Sequence, residues 1–238
     1  MKVLFVGPSL PDAASIVDPG VIVRPPATQG DVMAAIDDGA TIIGLVDGGF
    51  EYTAPVWHKE ILYGLSRGVK ILGAASMGAL RAAECHTYGM IGIGRIFEEY
   101  RDGTVIDDAD VALLHAPAEM NYLPLTVPMV NVKATLLQAG NDTVITPNEG
   151  DSLERSATDI FFKERTWVKI VQNCQDLAPP RKLELGRLLP IAQIDQKRRD
   201  AIALVECLRY PDSVAAPAVA WTFQTTPFWR EKFGLFHE

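Results

Sequence analysis

Val69-Lys70-Ile71-Leu72-Gly73-Ala74-Ala75-Ser76-Met77-Gly78-Ala79-Leu80-Arg81-Ala82-Ala83-Glu84 passes from an apolar run into a helix former with no polar loop between them. A buried strand that runs straight into a helix is the repeating unit of a parallel sheet, because parallel strands need crossover connections. Small residues make the junction, with Ala74 two before Ser76 and Gly78 two after it. That is the composition of a nucleophile elbow, a tight turn that pushes a hydroxyl out over the sheet edge. The glycine usual before the nucleophile is Ala74 here. The amides of Met77 and Gly78 open the next helix and point at the same spot, where they could hold an oxyanion. The competing reading of Ser76 is an N-cap, which needs no chemistry.

The same grammar extends to both sides. Residues 2–6 form a short apolar run closed by Gly7-Pro8-Ser9, and residues 21–23 stop against Pro25-Pro26. Residues 30–38 have apolar positions at helical spacing before Gly39, and residues 41–46 form a buried-strand run ending in Asp47-Gly48-Gly49-Phe50. Pro55 opens a helix to about Ser66, and residues 111–114 read as a last strand ending at His115. The expected fold is α/β, with a Rossmann-like, mostly parallel sheet and helices on both faces. Beyond Pro128 only helices are expected, over residues 128–139, 147–162, 166–174 and 193–208. The organisation expected is an α/β core over residues 1–125, a helical region over 126–210, and a tail over 211–238. That tail carries Trp221, Phe223, Phe228, Trp229, Phe233 and Phe236 and is expected to pack down, since free aromatics in that number invite aggregation.

Composition narrows the function. The chain has 238 residues, 48% of them apolar, and a formal charge of -8. An acidic balance disfavours a nucleic-acid surface, which needs a basic face. Cys85, Cys174 and Cys207 form no CxxC pair, so neither a disulfide framework nor a zinc knuckle is expected. The first apolar run is too short for a signal peptide, and no stretch has the length of a membrane span. A cytoplasmic protein is expected.

Ligands of open parallel sheets bind at the carboxyl ends of strands. Ser9, Asp47 with Gly48, Ser76 and His115 all follow predicted strands. Either His58 or His115 could take a proton from Ser76, with Asp47, Glu60 or Glu84 orienting the imidazole. His58 is preferred, because the Asp47 loop, the helix carrying His58 and the Ser76 strand are consecutive elements. Lys59 is a third choice. His86 reads as a cation at a helix end, and His237 lies in the tail. Arg81 and Glu84 are i,i+3 neighbours, fit for an ion pair, with Arg81 alternatively binding a carboxylate. Asp107-Asp108-Ala109-Asp110 reads as a capped turn rather than a cation site, and no metal is expected. Gly89-Met90-Ile91-Gly92-Ile93-Gly94 has the wrong order for a dinucleotide loop, and no phosphate-binding GxxxxGK[ST] exists, so no cofactor is expected.

Taken together, several stretches resemble the TfuA-like family. They are Leu45-Val46-Asp47-Gly48-Gly49-Phe50, Val56-Trp57-His58-Lys59-Glu60-Ile61-Leu62 and the run from Gly73 to Glu84, followed by Gly89-Met90-Ile91-Gly92, Val111-Ala112-Leu113-Leu114-His115 and Pro128-Met129-Val130-Asn131-Val132. The likeness also takes in Val6-Gly7-Pro8-Ser9-Leu10 and Lys197-Arg198-Arg199-Asp200-Ala201. The resemblance implies a partner of YcaO-type enzymes, which use ATP to activate a backbone amide, in systems that install sulfur in ribosomal peptides or in a glycine of methyl-coenzyme M reductase. The elbow suggests a contribution. With sulfur carried as a thiocarboxylate on a small ubiquitin-like carrier, Ser76 would attack the acyl carbon and expel sulfide. Two other readings stand beside this one, a non-catalytic docking or allosteric activator of YcaO and an unrelated serine esterase or amidase. The tail and the helical region are candidate docking surfaces, or the tail covers the chain's own core.

Overall fold

The computed structural model describes residues 1–215 and 220–233; Phe236 and His237 lie outside the described residues. Strands β1 (Lys2–Phe5), β2 (Val21–Arg24), β3 (Ile42–Leu45), β4 (Lys70–Ala74) and β5 (Ile91–Ile93) form one all-parallel sheet in the order β2-β1-β3-β4-β5. The connecting helices are α1 (Ala13–Ile16), α2 (Asp31–Asp37), α3 (His58–Ser66) and α4 (Met77–Cys85), and α5 (Arg95–Arg101) follows β5. This is the α/β architecture expected from the alternation of buried runs and helical patterns.

Residues alternate between the two faces along each strand. Val3 and Phe5 of β1, Ile43 and Leu45 of β3 and Ile71 of β4 pack with Val32, Ile61, Ala79 and Ile96 from α2, α3, α4 and α5. Leu4, Val46, Leu72 and Ala74 point the other way. Beyond the sheet come helices α6 (Met129–Asn141), α7 (Pro147–Thr158), α8 (Trp167–Asn173), α9 (Pro179–Ile191), α10 (Gln196–Arg209) and α11 (Pro227–Phe233). Helix α10 returns to the sheet and covers its second face with Ala201, Leu204, Val205 and Leu208. Gly44 permits this approach, since a Cβ there would lie 2.7 Å from Leu204 and 3.1 Å from Leu208. Helices α6 to α9 build a separate apolar cluster around Leu136, Leu153, Ile170, Leu185 and Leu189.

The structure corrects the sequence reading at three places. Residues 111–114 are not a strand; a 3-10 turn over Asp108–Val111 runs into extended chain, with Leu114 donating to Thr126 Oγ1. The fifth strand is instead Ile91–Ile93 in the glycine-rich stretch. There a Cβ at Gly92 would overlap the Phe97 ring, and Gly94 sits at φ +88 against Asp200. Helix α9 is hidden in the sequence, because Pro179, Pro180 and Pro190 obscure its pattern.

The order 2-1-3-4-5 places a topological switch between β1 and β3, where the chain leaves in opposite directions along the sheet. Their carboxyl-end loops diverge, which opens a crevice at that edge.

Candidate active site

Ser76 sits at the mouth of that crevice on a strained turn. Its amide donates to Ala74 O at 2.7 Å across Ala75, which has φ +66. A two-residue hydrogen bond around a positive φ is the rarer form of γ-turn, a conformation that costs on the order of 1–3 kcal/mol for a non-glycine residue. The strained residue is Ala75, one before the serine. Its methyl group packs into the apolar cluster under α10, so burial offsets part of the strain.

Two close approaches hold the turn in place. A Cβ at Gly78 would overlap the Leu45 carbonyl, and one at Gly73 would overlap the carbonyl of Gly78. Gly78 N donates to Val46 O at 3.0 Å. The Gly78 amide is therefore spent on the neighbouring strand and is not an oxyanion donor. The Met77 amide has no partner among the described residues and remains the donor of the turn. Ser76 Oγ caps nothing and makes no hydrogen bond among the described residues, so the N-cap reading lacks its bond.

Ser76 opens into a cleft of about 440 Å³. Pro8, Asp47, Gly48, His115 and Lys197 line it, and Phe50, Tyr52, Leu113, Leu114 and Phe162 form an apolar wall. Asp47 is buried, 2% exposed. Its Oδ2 accepts the Gly7 and Ser9 amides at 2.8 and 3.0 Å, and its Oδ1 accepts the Ser9 hydroxyl at 2.7 Å. Asp47 thus ties the loop after β1 to the loop after β3 rather than orienting an imidazole. Ser9 lies behind it, also buried. His115 Nδ1 bonds the Ala116 carbonyl at 2.8 Å, and its ring meets Tyr122 edge-on. In the neutral imidazole that bond puts the proton on Nδ1 and leaves Nε2 as the acceptor.

His58 is placed elsewhere. Its Nε2 bonds Glu84 Oε2 at 2.7 Å, and Arg81 Nη1 reaches the same oxygen at 2.6 Å. Arg81 Nε also donates to Val56 O, so the arginine fastens α4 to the start of α3. Glu84 lies eight residues past Ser76, about 12 Å along a helix at 1.5 Å per residue. This cluster borders a second cleft, lined by Met77, Arg81, Glu84, Asp107 and Asp108, with Phe50 shared between the two. The expected His58–Ser76 pairing is replaced by His58–Glu84, because α3 starts only at His58 and residues 55–57 are extended.

The remaining polar candidates make structural contacts. Glu60 is buried, 0% exposed, and accepts the Gly30, Met33 and Trp57 amides, holding the starts of α2 and α3. Lys59 bonds Thr226 and stacks over Phe223 of the tail. Asp107 caps its 3-10 turn through Ala109 N. His86 Nδ1 bonds Ala83 O at the end of α4. Among the described residues no group of three His, Cys, Asp or Glu could hold a metal ion. Burial pushes the thiols of Cys85, Cys174 and Cys207 up, Cys85 to about 12, and none of them lines either cleft. No described helix is long and apolar enough to cross a membrane.

Glu84 offers a pH test of its cluster. Burial raises its carboxyl, but the His58 hydrogen bond and Arg81 outweigh burial and leave it below the ordinary 4.5. A lowered folded value means that the contribution to stability is present above the unfolded value and is lost as pH falls through the folded one. We expect the stability gap between wild type and Glu84→Gln to be under about 1 kcal/mol, given the exposure of the pair. It should close as denaturation midpoints are followed from about pH 5 to about pH 3, the window in which the carboxylate itself is lost. A gap that stays open through that window would show that the cluster is not held by Glu84's charge.

Sequence reasoning misses Lys197 as a site residue. It sits in Gln196-Lys197-Arg198-Arg199-Asp200, which looks like a solvated charge run. The available signal is periodicity, since Lys197, Ala201, Leu204, Val205 and Leu208 share the buried stripe of α10. A family model described as TfuA-like protein matches residues 47–166, a stretch that holds Asp47, His58, Ser76, Glu84 and His115. No curated protein matches the chain.

Proposed function

We propose that this chain, which belongs to the TfuA-like family, is a sulfur-delivery hydrolase that serves a YcaO-type enzyme in peptide backbone thioamidation. Membership of the family implies the YcaO association. The hydrolytic step is our reading of the cleft, and one observation carries it. Ser76 Oγ is free of internal hydrogen bonds among the described residues, on a strained turn after β4 that shares a cleft with the loops at the β1/β3 switch point.

The substrate is a ubiquitin-like carrier whose C-terminus is a thiocarboxylate. Ser76 Oγ attacks the acyl carbon, the Met77 amide stabilises the oxyanion, and the C–S bond breaks to release sulfide. Water then hydrolyses the acyl-serine and restores both the hydroxyl and a carrier carboxylate. The apolar wall of Phe50, Tyr52, Leu113 and Phe162 suits an extended peptide end and helps to exclude water. A persulfide relay finds no support, because the three thiols are raised by burial and lie away from both clefts.

The test is sulfide release from a thiocarboxylated carrier by wild type and by Ser76→Ala. Release by wild type alone supports the reading. Equal release by both, or none by wild type while free sulfide still supports thioamidation, would overturn it in favour of a docking role. The comparison is clean, because Ser76 Oγ supports no other group and its loss should change stability by no more than about 0.5 kcal/mol.

A further inference from the structure

Ala112, Leu113, Leu114 and His115 line the cleft of Ser76 in unbroken succession. Side chains of an extended chain alternate between two faces. Consecutive lining residues therefore mean that the cleft runs along the edge of this segment, where its backbone groups are. The other edge is paired with residues 123–126, none of which lines the cleft. Ala116 N donates to Leu123 O at 2.9 Å, Leu125 N to Leu114 O at 2.8 Å, and Leu114 N to Thr126 Oγ1 at 2.7 Å.

This register makes His115 and Pro124 a non-hydrogen-bonded antiparallel pair. The N–H and C=O of His115 thus point away from Pro124, and those of Leu113, two residues earlier, point the same way. None of these four groups has a partner among the described residues. Both residues are half-buried, and backbone groups withdrawn from water are nearly always paired. The two edges of the arm also differ in kind. The outer one carries Pro124, which has no N–H to offer a further strand and so blunts pairing there. The edge along the cleft has no such block. It is held still from its start, where Lys197 Nζ donates to the Val111 carbonyl at 2.8 Å and Lys133 pairs with Asp110 at 3.2 Å.

We propose that Leu113–His115 is a docking edge for an extended peptide, and that the C-terminal tail of the carrier enters the cleft by adding a strand to it. The proposal rests on the carrier reading given above. Main-chain bonds to Leu113 and His115 supply affinity, and the wall of Phe50, Tyr52 and Phe162 packs on the side chains of the tail. The edge spans three residues, about 10 Å at 3.3 Å each, so it holds only the last few residues while the folded body of the carrier stays outside.

The experiment uses the full chain and a ubiquitin-like carrier with an ordinary C-terminal carboxylate, made by semisynthesis with a methyl group on one backbone nitrogen of its tail at a time. N-methylation removes a single donor and leaves every side chain in place. Calorimetry should show Kd raised at least about tenfold by methylation at every second position, and less than about threefold at the positions between. Amide exchange followed by NMR should slow at least about tenfold at Leu113 and His115 under saturating unmethylated carrier, with no substitution in the protein. His115→Ala removes the imidazole but keeps the amide, and should preserve the alternation. A Kd indifferent to methylation, losses without alternation, or unprotected Leu113 and His115 amides in the complex would each overturn strand addition and leave the carrier reading standing. Alternation and protection without sulfide release from the thiocarboxylated carrier would keep the docking edge and overturn the hydrolytic reading. A carrier that does not bind would remove both.

Discussion

Replacing Gly78 with Ala should destabilise the protein by about 3 kcal/mol or more, because the added methyl has nowhere to go. A Cβ at this position would overlap the Leu45 carbonyl, with the carbonyl carbon at 2.5 Å and the Val46 nitrogen at 3.1 Å. These are backbone atoms of β3 and the residue after it, so no rotamer change relieves the clash. Helix α4 would have to lift from the sheet. That would break the Gly78 N to Val46 O bond and slacken the γ-turn under Ser76. Gly186→Ala provides the contrast. It lies inside α9 with open space around the new methyl, and should be neutral or stabilising by up to about 1 kcal/mol. Denaturant midpoints of both variants decide the point. Equal stability of Gly78→Ala and wild type would mean that helix and strand are not packed this closely.

A comparable loss, about 3–5 kcal/mol, is expected for Trp229→Ala. Trp229 is the anchor of the C-terminal segment, fully buried among Trp57 and Tyr63 on the core and Phe223 and Phe233 beside it in sequence, with ring centroids 4.4 to 5.9 Å away. Trp221 adds a hydrogen bond to the Tyr88 carbonyl. The described part of the tail thus covers the chain's own aromatic surface. Trp229 Nε1 is buried without a partner among the described residues, a defect of about 1–3 kcal/mol. Trp229→Phe removes that donor along with part of the ring, so its loss should be much smaller than that of Trp229→Ala. Thermal denaturation with limited proteolysis separates the variants, and cleavage should fall between residues 214 and 233 in Trp229→Ala. An unchanged midpoint and unchanged protection in that variant would show that the tail adds no stability.

Much of the core is legible in the sequence because it is buried on both sides. A strand sealed between two helical layers must be free of polar side chains at successive positions, and residues 3–6, 42–46 and 71–74 are. Edge strand β5 has one neighbouring strand and spans three residues with a central glycine, so it reads as a loop. The apolar residues 111–114 mislead for another reason, since only Val111 is buried and Leu114 is exposed in chain that pairs with no strand of the sheet. The site is half legible. Ser76, Asp47, Gly48 and His115 do meet in one cleft; the first three do so because strand ends of a parallel sheet share an edge, whereas His115 reaches it from the chain after the 3-10 turn at Asp108–Val111. The partner of His58 is not legible, since neighbouring elements share a neighbourhood but sequence does not say which turn of α4 an imidazole meets. Arg81, fastened to Val56 O, fixes that register.

Helix α10 supplies both the cover of one sheet face and the lysine in the cleft wall, and it is made late. A chain grows from its N-terminus, so β1 to β5 emerge well before residue 196. Until α10 follows, Leu4, Val46, Leu72 and Ala74 have only Leu10 and the short α1 segment over them, and the nascent sheet presents a sticky apolar surface suited to chaperone capture. One docking event then closes that surface and installs the side chain of Lys197. The growing polypeptide therefore never displays a finished cleft on an unfinished body, and ribosomal products that stop short of α10 should be insoluble rather than merely inactive.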